Sequence, residues 1–409
     1  MKKIFVFQLL MFAFAILSLQ GANVFKEAKT AIKSGQNLEN AERNLLVEAA
    51  KPELEQNKRA QCYFMAGMIN RKINDIENEK LYLKKSYDTV KFFNSIHQIF
   101  VRLGQCDSVE AIPGEKGHVV FKYRKKNREL LLAYRPNLLN GGKYFLRKGD
   151  YEHAYAFFDL YIGHTAWPMF AADDLAKKDT MLAQVAYWST LSAFYMQKPT
   201  QTLKHVDLAM KTGTNLGALQ EYKARSYYQL GDTVSWLESL KVGLITYPEQ
   251  PYFFVNLMDY VTETKQFDDG IKFADLMIKH DPTSVLYRYA KSAVLFNKHD
   301  YTYCIAASDS VLMLDSMYVD AHYNKGISYC NLALIQSDSV GSPLKNPDYK
   351  KQIAAVKRLY GKARRPMEMV RKLQPDQPNR WAQPLYRIYL NLNMGKEFDE
   401  IDRLLRKMK

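Results

Sequence analysis

The chain has 409 residues, and its 58 Lys and Arg against 43 Asp and Glu give a formal net charge of +15. Hydrophobic residues make up 47% of the chain and charged residues 25%, values that exclude a mostly disordered protein. Gly (19) and Pro (14) are sparse beside Tyr (28) and Phe (21), so a helical protein is expected rather than a turn-rich β-sandwich.

The first residues have the pattern of a secretory signal peptide. Two lysines precede an apolar run over residues 4–17, and small and polar residues follow at 18–22. The apolar run is shorter than the about 20 residues that a membrane-spanning helix needs. We therefore predict a signal peptide over residues 1–21, cleaved near 20–22, and an exported protein that is periplasmic or outer-membrane-associated. A retained N-terminal anchor is the alternative, and the lack of a Cys near the cleavage region argues against a bacterial lipoprotein.

The four cysteines form neither a metal-binding pattern nor a disulfide scaffold. Cys62, Cys106, Cys304 and Cys330 are far apart, and no C-x-x-C spacing occurs. A scaffold that depends on disulfides would also be much richer in Cys. Buried free thiols that act as small apolar residues are therefore the default expectation.

A repeat of 34 residues runs through the chain and is clearest over 217–335. Three sets of residues recur at this spacing: Thr233, Phe267 and Tyr301; Trp236, Gly270 and Cys304; and Ala224, Met258, Ser292 and Gly326. The last set is mostly small, as is needed where two helices approach closely. Apolar residues three and four positions apart, broken by Gly-Asp or Lys-His-Asp turns, predict helix hairpins. Each hairpin leaves an apolar face that only a neighbour can bury, so the hairpins are expected to stack.

This pattern resembles the tetratricopeptide repeat, a 34-residue unit of two antiparallel helices with small residues at the helix crossings. Residues 137–162 carry the positions of the family in order, namely Gly142, Phe145, Gly149, Ala154 and Phe158. The resemblance implies an all-α fold, a right-handed superhelix (α-solenoid) of antiparallel helix hairpins. It is strong over 135–165 and 217–335 and moderate over most of the remaining chain.

The repeat and its interruptions define the expected organisation after the signal peptide. We predict N-terminal hairpins over 22–103, a connector over 104–126, a main array over 127–335, a polar insertion over 336–349, and C-terminal hairpins with a cap over 350–409. Residues 118–123 are predicted as loop or helix start, because a lone strand would have no partner.

A further break in the repeat, over 163–180, brings Trp167 and Phe170 either to pack back on the array or to meet a partner. Long loops of repeat proteins often carry function, and variable surface loops are an equal alternative for both 163–180 and 336–349.

No catalytic or metal-binding pattern is found. The eight His residues form no H-E-x-x-H or other ligand spacing, and G-x-x-x-x-G-K-[ST], G-x-G-x-x-G and G-x-S-x-G are absent. Gly141, Gly142 and Lys143 look like a phosphate cradle, but both glycines fall at helix-crossing positions, where close packing explains them. We therefore predict a protein that is not an enzyme and that uses no cofactor or metal.

The resemblance also implies where a partner binds, because in this family the first helices of successive units line the groove. The repeat positions that face the groove in the family correspond here to Lys143, Arg147, Glu221, Arg225, Tyr228, Gln229, Asp259, Glu263, Tyr289, Phe296, Asn297, Tyr323 and Asn331. Tyr and Arg are effective anchors in protein interfaces, although most positions of any interface contribute little binding energy. The carboxylate clamp of the chaperone-binding members is not reproduced. Cys330 falls in a groove-facing column and Cys304 in a core-facing one, so no disulfide between them is expected.

Two segments are strongly basic. Residues 116–148 contain ten Lys and Arg and one acid, and the predicted helix 350–373 contains nine and one. A basic amphipathic helix can lie on an anionic membrane or bind polyanions, and the alternative is a solvated face that keeps the array soluble. Contact of 350–373 with a membrane surface is therefore a hypothesis, whereas the export signal disfavours nucleic acid as a partner.

Together these features predict a non-catalytic adaptor or scaffold of the bacterial cell envelope, which binds a protein or peptide segment in the concave groove of the superhelix. The alternative is a glycan-binding helical-repeat protein of the outer membrane, similar to the starch-utilisation lipoproteins that embed such repeats. In that case Tyr and Trp faces would stack on sugars. The missing lipoprotein Cys, the shorter chain and the repeats that fill nearly all of it argue against this alternative.

Overall fold

The computed structural model describes residues 23–114, 117–341 and 347–408, so the predicted signal peptide over 1–21 lies outside the described residues. The described residues form helices and no β-strand, which confirms the predicted all-α class. The chain divides into two compact units, Met1–Asp232 and Thr233–Lys409. They are called the N-terminal unit and the C-terminal unit below, and each is described by itself.

The N-terminal unit is a series of antiparallel helix pairs. Its helices are α1 (23–34), α2 (Leu38–Ala49), α3 (Gln56–Tyr82), α4 (Thr89–Glu110), α5 (Arg124–Arg147), α6 (Tyr151–Gly163), α7 (Leu175–Lys178), α8 (Leu182–Tyr195), α9 (Pro199–Ala209) and α10 (Leu216–Gln229). Within pairs, α3 packs on α4, α5 on α6 and α8 on α9; between pairs, α4 packs on α5, α6 on α8 and α9 on α10. The irregular segment between α4 and α5 is shorter than the predicted connector, and residues 117–123 are loop, as expected.

The C-terminal unit is also built from consecutive packed helices. Its helices are α11 (Thr233–Thr246), α12 (Pro251–Glu263), α13 (Phe267–His280), α14 (Val285–Asn297), α15 (Tyr301–Leu312), α16 (Val319–Asp338), α17 (Tyr349–Leu373), α18 (Pro378–Leu392) and α19 (Gly395–Lys407). Each helix packs on the next, and the first helices of successive hairpins also touch, α12 on α14, α14 on α16 and α16 on α18. Helices α16 and α17 extend into the predicted insertion 336–349, of which residues 342–346 lie outside the described part.

The backbone of the turns between helices repeats with the same 34-residue period as the side chains. Gln197, Gly231, Lys265 and His299 are each 34 residues apart, and all have positive φ, at 56°, 72°, 58° and 64°. Each is the middle residue of a three-residue turn between two consecutive helices. The left-handed conformation costs little for Gly and roughly 1–2 kcal/mol for a residue with a Cβ. Three of the four turns therefore carry conformational strain that the stacked helices hold in place.

This strain predicts that Lys265→Gly will raise the free energy of unfolding by about 0.5–1 kcal/mol. Lys265 is exposed, so the substitution removes the Cβ penalty and little else. Urea denaturation followed by circular dichroism measures the change. Gly231→Lys is the reciprocal control and should lower the free energy of unfolding by a similar amount. If it does not, the strain does not reside in the positive-φ residues of these turns.

Glycines at the helix crossings allow the close contacts that the repeat predicts. A Cβ on Gly142 would lie 2.4 Å from Cε1 of Phe158, and one on Gly141 would lie 2.4 Å from Cε1 of Phe157. Both phenylalanines are fully buried. Packing therefore accounts for the glycine pair that resembles a phosphate cradle in the sequence, as expected.

The insertion that follows α6 packs back on the N-terminal unit. The indole of Trp167 occupies the space over Gly104 on α4, and Phe170 is buried in the same cluster. The chain here forms two short 3-10 turns, His164–Ala166 and Pro168–Asp173, and then α7. Of the two roles considered for Trp167 and Phe170, the structure shows packing on the array.

A polar cluster fixes this insertion to α5. Arg135 donates from Nε to Nε2 of His164 at 2.9 Å and from Nη1 to the hydroxyl of Tyr161 at 2.7 Å, and it forms an ion pair with Asp179. The Tyr161 hydroxyl also donates to Asp179 at 2.7 Å. Because Arg135 can only donate, Nε2 of His164 is the acceptor, and the ring proton lies on Nδ1, 2.8 Å from the carbonyl oxygen of Leu160.

Candidate partner-binding surfaces

An aromatic surface lies on the first helices of the last hairpins in the C-terminal unit. The ring centroids of Phe296 on α14 and Tyr323 on α16 are 6.4 Å apart. The rings of Tyr289 and Tyr318 are 5.0 Å apart, and the guanidinium of Arg380, on α18, lies 4.7 Å from the Tyr323 centroid. All five side chains are half-buried. We call these five residues the aromatic wall.

Hydrogen bonds hold the single cation of the aromatic wall in place. Arg380 donates from Nη2 to Oδ1 of Asp320 at 2.6 Å and from Nη1 to Oε1 of Gln374 at 2.7 Å. Burial raises the pKa of Tyr289 to about 12, with the nearby Asp320 carboxylate adding to the effect, so its hydroxyl stays protonated at neutral pH. The wall thus offers ring faces, a hydroxyl donor and a fixed Arg–Asp pair, which are the groups that anchor protein interfaces.

The structure brings together some of the predicted site residues. Tyr289, Phe296 and Tyr323 lie in the aromatic wall, whereas Asn297 and Asn331 are on the same helices, outside it. Asp259 and Glu263 are exposed on α12.

The remaining predicted site residues are in the N-terminal unit. Lys143 and Arg147 are on α5, and Lys143 Nζ lies 5.1 Å from the ring of Trp188 on α8. Glu221, Arg225, Tyr228 and Gln229 are on α10. Arg225 donates to Glu221 within α10 at 2.7 Å, so these two charges already neutralise each other.

Sequence reasoning missed Arg380, Asp320 and Tyr318. The repeat register is lost between α16 and α18, because the insertion shifts the last hairpin out of the 34-residue period. No groove-facing position of the family could therefore be matched to Arg380. Tyr318 directly precedes α16 and so lies outside the helical positions of the repeat.

A concave site lies in the N-terminal unit, between the second helices α4, α6 and α9. It is a cleft of about 760 Å³ lined by groups that include His97, Tyr155, Asp159 and Lys198. Asp159 accepts from His205 at 2.6 Å and pairs with Lys204 at 2.6 Å. Burial opposes ionisation of Asp159, and the hydrogen bonds from His205 and Lys204 outweigh it and lower its pKa. The Asp159 carboxylate is thus satisfied by its own neighbours.

Three of the ten cations in the basic segment 116–148 are neutralised inside the N-terminal unit. Arg124 makes a two-bond pair with Asp107, at 2.7 and 2.9 Å. Arg128 pairs with Asp173 in the same way, and Arg135 pairs with Asp179. The three partners lie outside the segment, 17, 45 and 44 residues away from Arg124, Arg128 and Arg135 in sequence. The charge count of the segment therefore overstates its exposed charge by three.

The four cysteines are free thiols, in agreement with the pattern of their spacing in the sequence. All four thiols are buried, and burial raises the pKa values of Cys62, Cys106 and Cys330 to about 12.

In the part of the chain that the structure describes, no cluster of three or more His, Cys, Asp or Glu could hold a metal ion. Of the helices formed by these residues, none combines the length and apolar character that crossing a bilayer requires.

Hairpins of antiparallel helices, a 34-residue period in side chains and turn backbone, and small residues at the crossings define a tetratricopeptide-like helical-repeat protein. The predicted resemblance is thereby confirmed at the level of the fold. No protein-family model matches the chain, and no curated protein matches it by sequence.

Several solved structures resemble it, each over part of the chain. The C-terminal part of a TPR repeat-containing protein from Cytophaga hutchinsonii is 11% identical, with a TM-score of 0.40, covering 64% of this chain and 92% of its own. A TPR repeats protein from Bacteroides fragilis is 14% identical, with a TM-score of 0.30 and coverages of 66% and 98%. A tetratricopeptide repeat protein from Parabacteroides merdae is 14% identical, with a TM-score of 0.33 and coverages of 67% and 98%. These similarities concern the fold alone.

Proposed function

We propose that this protein is a non-catalytic scaffold that binds a segment of another protein on the first-helix face of its C-terminal unit. The observation that carries the proposal is the aromatic wall, in which Arg380 is fixed against the ring of Tyr323 by its bonds to Asp320 and Gln374. Tyr and Arg side chains of this kind are enriched among the residues that dominate binding energy in protein interfaces.

The rigidity of the wall supports this role. Its rings and its cation are positioned by packed helices and by mutual contacts, so little side-chain freedom remains to be lost when a partner docks. Preorganisation of this kind raises affinity because it reduces the entropy cost of association. A partner segment with an acidic or carbonyl-rich stretch and one or two apolar side chains would match the surface.

The setting we propose is the bacterial cell envelope, after export. Support comes from the signal-peptide pattern over residues 1–21, which lies outside the described residues. The absence of a catalytic motif from the sequence is consistent with an adaptor.

Site-specific photo-crosslinking in the producing cell tests the proposal. A photoreactive amino acid at Asn297 or Asn331, on the helices that carry Phe296 and Tyr323, should form adducts with a discrete protein partner. The same group at Tyr303, which is 66% exposed on α15, a second helix, is the matched control and should form none. Tyr323→Ala should weaken the interaction at least tenfold, because it removes a central anchor.

Two results would contradict the proposal. Equal adducts from Tyr303 would show that the contact does not involve the first-helix face. Adducts that persist in the Tyr323→Ala variant, or that glucan oligosaccharides compete away while peptides do not, would point away from protein recognition by the wall.

A further inference from the structure

Helix α17 is the second basic segment, and its apolar face is fully used inside the C-terminal unit. Val356, Tyr360, Ala363, Met367 and Val370 are buried on one side of the helix, in the cluster formed with α16 and α18. The contact is close, because a Cβ on Gly326 of α16 would lie 2.5 Å from Sδ of Met367. The orientation of α17 is therefore fixed by its core.

The cations of α17 point to the opposite side and are mostly unpaired. The exposed ones are Lys350, Lys351, Lys357, Arg358, Lys362, Arg364, Arg365 and Lys372. Arg364 lies 3.8 Å from Glu368, and the half-buried Arg371 pairs with Glu400 of α19. Within the described residues, the other basic side chains of the helix form no ion pair. In segment 116–148, Arg124, Arg128 and Arg135 are each neutralised by an Asp of the same unit.

The exposed cations form one continuous basic surface along α17. At 100° per residue they cover roughly half of the helix circumference, and the 25-residue helix is about 37 Å long. Ala354 and Gly361 lie along the middle of this face, so the long Lys and Arg side chains rise on both sides of a shallow centre. We call this surface the basic face.

The basic face lacks the groups that a specific protein interface needs. Such interfaces have a desolvated core of aromatic or aliphatic anchors. Among the described residues from 347 to 389, no large apolar side chain is exposed. Single-stranded nucleic acid is bound with aromatic stacking platforms, which this face does not offer either. What remains is attraction between many unpaired cations and a diffuse, extended negative surface.

We propose that the basic face of α17 adsorbs on a membrane surface rich in anionic lipid headgroups. The inference rests on the proposed cell-envelope setting, which supplies such a surface, and it does not depend on the aromatic wall. Lys and Arg side chains near an anionic membrane each contribute about fivefold to affinity, and salt screens this attraction. Without exposed apolar side chains, the helix rests on the headgroups and does not insert between acyl chains.

Vesicle co-sedimentation of the chain without residues 1–21 tests this inference. Binding is expected to vesicles with about 30% phosphatidylglycerol in phosphatidylcholine at low salt, none to pure phosphatidylcholine, and release at about 0.5 M salt. The triple variant Lys357→Gln, Arg358→Gln, Arg365→Gln should bind roughly a hundredfold more weakly. The matched control Lys211→Gln, Lys241→Gln, Lys279→Gln removes the same charge from exposed positions elsewhere and should change affinity less than threefold.

Each other outcome overturns the inference. Equal weakening by the two triple variants would mean that net charge alone drives adsorption. Binding to neutral vesicles would mean apolar insertion, and tighter binding to duplex DNA than to anionic vesicles at the same salt would assign the face to a different polyanion. Circular dichroism of all variants confirms that they fold. Partner crosslinking at Asn331 is read separately, so either proposal can fail without the other.

Discussion

Replacing Arg135 by Met will lower the free energy of unfolding by about 3–5 kcal/mol. The side chain is 13% exposed and its partner Asp179 is 9% exposed, so removal of the guanidinium leaves a buried carboxylate without its cation. The same substitution leaves Nε2 of His164 without its donor and removes the cation from the Tyr161 ring, 4.0 Å away. Urea denaturation followed by circular dichroism gives the change.

Arg128→Met provides the control, because Arg128 lies two turns earlier on α5 and also pairs with an Asp of the insertion, but its side chain is 34% exposed. Water and salt screen such a pair, so its loss should be much smaller than that of Arg135. Equal losses would show that the insertion, and not the buried cluster, sets the cost.

The same cluster makes stability sensitive to mild acid. Burial lowers the pKa of His164 to about 4 from an ordinary value near 6.5. Between pH 6.5 and pH 4, His164 is therefore protonated in the unfolded chain but neutral in the folded chain. The free energy of unfolding falls as pH decreases through this range. At pH 4.5 the loss is about 2–3 kcal/mol relative to pH 7.

His164→Gln separates this contribution from those of carboxylates, whose pKa values are also lowered by folding, Asp179 among them. The Gln oxygen can accept from Arg135 but does not titrate. The variant should lose less stability than the parent chain between pH 7 and pH 4.5, by about 2 kcal/mol. Parallel stability–pH curves for the two proteins would show that His164 is not the group involved.

Replacing Gly142 by Val will lower the free energy of unfolding by about 3 kcal/mol, the upper part of the usual range for overpacking. A Cβ at this position would lie 2.4 Å from Cε1 of Phe158 and 2.7 Å from its Cδ1, and the ring is fully buried. The helices α5 and α6 must then separate, or the ring must leave its rotamer. Thermal and urea unfolding measure the loss.

The steric origin is tested by a double-mutant cycle. Phe158→Ala alone should cost about 3–5 kcal/mol, and in its presence Gly142→Val should cost much less than it does alone, because the atoms that clash are gone. Additive losses would contradict the proposed contact. Gly163→Ala, on exposed helix with nothing within 4 Å of the new Cβ, should be neutral or stabilising.

The period of the fold was readable from sequence because it is carried by side-chain size. Small residues at crossings and apolar residues at helical spacing must recur wherever one hairpin stacks on the next. The repeated positive φ at the middle of the turns was harder to predict from the sequence. Of the residues concerned, only Gly231 suggests a left-handed turn, whereas Lys265 and His299 adopt the same φ because the helices on both sides impose it.

The binding surface was predictable only as far as the repeat register extends. Tyr289, Phe296 and Tyr323 follow from the columns of the family, but Arg380 lies beyond an insertion that breaks the spacing. Charge was similarly ambiguous. The two basic segments look alike in composition. Only the fold shows that three arginines of the first segment are paired with carboxylates outside it, because such ion pairs depend on contacts between residues far apart in sequence.

The buried thiols give each unit its own internal reporters of opening. Cys62 and Cys106 are in the N-terminal unit, Cys304 and Cys330 in the C-terminal unit, and none is more than 4% exposed. A thiol that is shielded and kept protonated by burial reacts with an alkylating reagent only when its surroundings transiently unfold. The labelling rate of each Cys, compared with that of a free thiol, therefore reads out the free energy of the local fluctuation that uncovers it. The four labelling rates, two per unit, therefore allow local unfolding around each Cys to be measured separately under conditions where the protein as a whole remains native.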